Sequence, residues 1–99
     1  MTPEIKKFQE DVTRTFALVD TQNSITNPDR FLGLSVDNDT QISLGFDGLS
    51  ATVTLNEFGV VSYTCDGGDF RSWHSDDVQA PAKAVLKAYS SLEFQYNKA

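Results

Sequence analysis

Ninety-nine residues, 39% hydrophobic and 11% aromatic, make one domain spanning 1–99 and exclude a disordered tail. A formal net charge of −6 argues against a duplex-binding surface, which needs cationic side chains to displace counterions. Apolar runs are too short for a membrane helix, and the lone Cys65 excludes an intrachain disulfide and a C-x-x-C zinc site.

Met1-Thr2-Pro3-Glu4 lacks the basic and apolar segments of a signal peptide, so the expected location is the cytoplasm. Thr2 then Pro3 reads as a hydroxyl N-cap followed by proline at the first helical position. Ile5, Phe8, Val12, Phe16 and Val19 step by three and four along one helical stripe. The helix is expected to fade near Asp20, because residues 20–24 offer side chains that compete for backbone hydrogen bonds. Asn27-Pro28-Asp29 then turns the chain towards a sheet.

From Arg30 to Cys65 the apolar period becomes two. Leu32, Leu34 and Val36 form a first alternating set, and Ile42, Leu44 and Phe46 a second. Ala51, Val53 and Leu55 form a third, and Val61, Tyr63 and Cys65 a fourth. Turn chemistry separates them at Asp37-Asn38-Asp39, Asp47-Gly48 and Asn56-Glu57-Phe58-Gly59. Connections this short join only antiparallel neighbours, which predicts a simple meander. Residues 66–77 read as a twelve-residue loop. A second helix follows, starting near Ser75 to Asp77 or at Pro81, with Ala82, Val85, Tyr89, Leu92 and Tyr96 as its stripe and Leu86 widening it. The fold class is therefore α+β: an N-terminal helix, a four-stranded antiparallel meander and a C-terminal helix. Both helices pack on one sheet face in a two-layer sandwich.

Charge is unevenly spread. Residues 20–77 carry ten acids, nine of them Asp, against only Arg30 and Arg71, and nearly all fall in predicted turns. Asp is a good turn residue, so solvated turns are the plain reading. The functional reading notes that alternate turns of a meander share one sheet end, where Asp rims form that face a basic partner. The outward sheet face carries Ser35, Gln41, Ser43, Ser50, Thr52, Thr54, Ser62 and Thr64, with Gly33 and Gly45 and no charge inside a strand. It reads either as a solvated surface or as a face that packs a second copy or a partner.

The 66–77 loop concentrates what chemistry there is, holding the only Trp and the only His directly after the only Cys. Asp66, Asp69, Phe70, Arg71, Trp73, His74, Asp76 and Asp77, with Asp37 and Asp39 from the first turn, are the candidate partner-binding residues. A Cys65 nucleophile with His74 as base lacks a third orienting group and an oxyanion feature, so no catalytic residue is assigned. Asp37-Asn38-Asp39 opens like a calcium loop, but Ile42 stands at the glycine position and Gly48 at the glutamate position. Gly67-Gly68 is no phosphate loop. No metal site and no cofactor is expected.

These features favour a non-enzymatic module that binds a basic protein partner stoichiometrically, as an inhibitor, immunity-type or adaptor protein. Phage and mobile-element proteins offer an analogy of composition only. Two other readings stand beside it. One is a small-ligand or hydrolytic site using His74, Asp69, Arg71 and Cys65; the other is a homodimer joined through the polar sheet face.

Overall fold

The computed structural model describes residues 2–46, 48–65 and 72–98. Thr2, in extended backbone, caps the first helix by accepting the Ile5 N–H on its hydroxyl at 3.2 Å, ahead of Pro3 and Glu4. This helix, α1 (Pro3–Thr26), runs six residues past the expected fade at Asp20. The hydroxyls of Thr21, Ser24 and Thr26 donate back to carbonyls four residues earlier, so they do not compete for the helical N–H groups. Asn23 is buried and bonds outside the helix, to Arg30. The helix stops at Asn27, immediately before Pro28.

Five strands follow: β1 (Gly33–Asn38), β2 (Gln41–Phe46), β3 (Leu49–Leu55), β4 (Val61–Cys65) and β5 (Ser72–Ser75). They form one antiparallel sheet in chain order. The meander is as expected but gains a fifth strand, because residues 72–75 pair along β4 with Trp73 opposite Tyr63 and His74 opposite Ser62. Pairing there satisfies backbone groups that β4 would otherwise leave at an open edge. A four-residue strand with one large apolar side chain is too short for period two to reveal it.

The chain closes with α2 (Ala80–Lys98), which has Pro81 in its first turn. Its buried face keeps Val85 and Leu92 of the stripe read from the sequence, with Tyr89 partly buried against the core, but is centred on a row of alanines. Ala80, Ala84 and Ala88, one turn apart, are buried with Val85 and Leu92, whereas Leu86 and Tyr96 are 50% and 38% exposed. Such small side chains let α2 lie close over β3 and β4, where Ala51, Val53, Val61, Tyr63 and Cys65 complete the contact. Phe8, Val12 and Val19 of α1 join the same core, so both helices cover one sheet face.

The helices run in the same direction. Lys7 near the start of α1 donates to the Val78 carbonyl just before α2 at 3.2 Å, and Arg30 beyond α1 reaches Glu93 near the end of α2. Cover thins over β1, where Leu34 is half-buried and Val36 is 60% exposed. No helix among the described residues is long and apolar enough to cross a membrane.

Candidate functional site

Strand direction assigns the acids to ends. The β1–β2 turn, the β3–β4 turn and the β5–α2 junction all fall at one end of the sheet, which also receives the start of α1 through a Gln9 side-chain bond to the Asp39 carbonyl. Asp37, Asp39, Glu57, Asp76 and Asp77 therefore share this end, and all five are exposed. Both helices begin here, and the partial positive charge of their N-termini favours carboxylates nearby. Asp77 is bound to Lys83 at 2.9 Å, which lowers its carboxyl pKa together with backbone N–H donors of Gln79 and Val78. Asp37 accepts from the Ser43 hydroxyl at 2.6 Å and from Gln41 at 3.3 Å. Asp39, Glu57 and Asp76 have no cationic partner among the described residues.

The candidate residues of the 66–77 segment do not act as one loop, because β5 passes through its middle. Asp76 and Asp77 stand at the acidic end beside Asp37 and Asp39. Asp66, Asp69, Phe70 and Arg71 lie outside the described residues. Trp73 is half-buried against the core, 6.4 Å from the Tyr63 ring, with the Lys87 ammonium 5.6 Å over its own ring. That contact ties β5 to α2 and places Lys87 as a cover for the indole.

His74 and Cys65 are kept apart by the sheet. His74 aligns with Ser62 on the outward face, whereas Cys65 aligns with Ala51 and is 1% exposed on the inward face. A Cys–His pair is therefore not formed, and Cys65 serves as a small core hydrophobe. No group of three or more metal-ligating side chains gathers among the described residues.

The outward face is in register as a polar ladder. Ser35, Ser43, Thr52 and Thr64 lie in one row across four strands, and Gln41, Thr54, Ser62 and His74 in the next. The expectation of a charge-free face needs one correction: Asp37 lies within β1, beside a register shift, and its carboxylate reaches Ser43. The shift also blunts the β1 edge as a template for pairing. Gly45 is required on this ladder, since a Cβ there would stand 2.7 Å from the Leu49 carbonyl oxygen.

Sequence reading missed a buried polar clamp at the opposite end. The Arg30 side chain is 3% exposed; its Nε donates to Asn23 at 3.0 Å and its Nη2 to Glu93 at 2.9 Å, and the guanidinium lies 5.0 Å from the Tyr96 ring centre. Tyr89 donates its phenol to the same Glu93 oxygen at 3.0 Å. Helical spacing puts Tyr89, Glu93 and Tyr96 on one face of α2, but nothing in the sequence signals that Asn23 and Arg30 join them; only tertiary folding does that.

Burial and the neighbouring Glu93 carboxylate raise the Tyr89 pKa above its ordinary value of 10.0. A folded-state pKa above the unfolded one gives stability that is complete below the unfolded pKa and lost as pH rises through the folded one. Urea unfolding of wild type and Tyr89→Phe is expected to show a gap that is constant up to about pH 10 and changes only above it. A gap that already drifts between pH 6 and 9 would contradict this assignment.

Comparison with known proteins finds no matching family model, no matching curated protein and no matching solved structure.

Proposed function

We propose that this protein is a non-enzymatic binding module that docks stoichiometrically on a basic surface of a protein partner, as an inhibitor, immunity-type protein or adaptor. The observation that supports the reading is the gathering of Asp37, Asp39, Glu57, Asp76 and Asp77 at one sheet end, three of them with no cationic partner among the described residues. Acids left without internal cations keep their field for a partner, steering encounter and setting register on a positive patch. In a sharper form, the acids compete with nucleic acid for a basic groove, because closely spaced carboxylates can stand in for phosphates. Trp73 supports the site from behind by holding β5 against α2, which positions Asp76 and Asp77.

The test is capture by the tagged protein from nuclease-treated lysate of the native host, at low and high salt. Asp39→Asn, Glu57→Gln and Asp76→Asn combined serve as the comparison. One stoichiometric partner is expected, retained at low salt and lost at high salt, with association to the triple variant slowed about tenfold or more. Salt-indifferent binding that the triple variant leaves unchanged would sink the reading.

A further inference from the structure

The acidic end is not only charged. Between the first turn of α1 and the β3–β4 turn lies an open cleft of about 660 Å³, lined by Ile5, Leu55 and Phe58 and flanked by Glu4 and Glu57. Its size falls within the usual span of ligand clefts, roughly 300–1,000 Å³. A smaller hollow of about 160 Å³ shares Glu4, Leu55 and Gly59 with it and continues towards Val78 and Pro81.

Beside the cleft, large apolar side chains are left to solvent: Phe58 is 79% exposed and Val78 is 68% exposed. The turn that carries Phe58 is firmly built. The Asn56 carboxamide oxygen accepts the N–H groups of Phe58 at 2.8 Å and Val60 at 2.9 Å, and Gly59 supplies the positive φ of 81°. An exposed phenyl ring on an ordered turn loses little conformational freedom when it meets a partner. Among the described residues no cation lines the larger cleft, and Lys7, which lines the smaller hollow, is already bound by Asp11. Glu4 and Glu57 have no cationic partner among the described residues.

We infer that this cleft receives a protein segment in which one apolar side chain is flanked by Lys or Arg. The apolar group packs on Phe58, Leu55 and Ile5 while the cations meet Glu4 and Glu57. Charge complementarity selects this occupant: an acidic partner would be repelled, and a purely apolar one would leave both carboxylates desolvated without a counter-charge. The inference rests on the reading of the acidic end as a docking surface, and it assigns the contact that anchors the partner.

The experiment titrates the full chain, labelled for NMR, with three twelve-residue peptides of alternating Lys–Leu, Lys–Ser and Glu–Leu. The Lys–Leu peptide is expected to shift the amides of Leu55–Val61 and Thr2–Ile5 and to bind at least tenfold tighter than Lys–Ser, with Glu–Leu not binding. Phe58→Ser, at a solvent-facing turn tip that leaves the core untouched, lowers Lys–Leu affinity about tenfold or more. Glu4→Gln with Glu57→Gln lowers it about fivefold at low salt and little at high salt.

Equal binding of Lys–Leu and Lys–Ser at this end overturns the cleft while leaving the acidic docking surface standing. Shifts confined to another surface overturn the cleft as well. No shift at the acidic end with either cationic peptide at millimolar concentration overturns both. Dimerisation of the free chain that Phe58→Ser abolishes overturns it in favour of a second copy as occupant.

Discussion

Arg30→Ala is expected to destabilise the protein by about 3 kcal/mol, which for a chain of this size lowers Tm by about 15 °C. The guanidinium joins α1 to α2 through side chains far apart in sequence. Removing it leaves the buried Asn23 amide oxygen without its Arg30 Nε donor, deletes the stacking on Tyr96, and strips Glu93 of its cation. Glu93→Gln is expected to cost about 2 kcal/mol: a glutamine oxygen still accepts from Arg30, but the buried guanidinium loses its carboxylate. Urea unfolding of both variants tests the clamp. A loss below about 1 kcal/mol for Arg30→Ala would show that the cluster forms without holding the helices.

Ala84→Leu is expected to cost a similar amount, about 3 kcal/mol, by overpacking. Ala84 is fully buried, one turn from Ala80 and Ala88, on the face of α2 that meets the sheet. Extra carbon atoms there must push the helix away from β3 and β4 or force strained rotamers in the core side chains around it. Ala17→Leu on the exposed side of α1 makes the same chemical change and is expected to stay within about 0.5 kcal/mol. Equal effects at the two sites would mean that close approach of α2 is not what the alanines provide. The measurement is again urea unfolding, with the m-value checked for constancy.

The docking reading and the clamp occupy opposite ends of the molecule, which makes them separable by mutation. Substitutions at Asp39, Glu57, Asp76 or Phe58 lie in exposed turns and leave the core intact. Substitutions at Arg30 or Ala84 act on stability first, and on binding only through loss of fold. A partner that distinguishes the two groups of variants therefore reports on the surface and not on folding.

Much of the architecture was legible from local pattern. Thr2-Pro3-Glu4 carries its own helix start, four alternating runs carry their strand period, and Asn56-Glu57-Phe58-Gly59 carries its turn, whereas the first turn falls at Asp39-Thr40 with Asp37 and Asn38 still in β1. Cys65 at an inward position was readable as a core residue for the same reason. Part of the acidic rim was also readable, since a meander sends alternate turns to one end whatever its tertiary packing. Phe58 left one overlooked signal: an aromatic residue inside a turn has no core to serve.

Taken alone, the sequence determined the α+β class, the antiparallel chain order, the acidic turns and the absence of charge along most of the outward face. These depend on periodicity and turn chemistry, which act over a few residues. Tertiary structure alone decided the rest. It drew Ser72–Ser75 onto the β4 edge, centred the buried face of α2 on its alanines while leaving Leu86 and Tyr96 exposed, and buried Arg30 among residues from both helices. It also put His74 and Cys65 on opposite sides of the sheet. Each of these outcomes is settled by contacts between segments remote in sequence, where an open backbone edge, a close helix–sheet approach or a buried charge must find its partner.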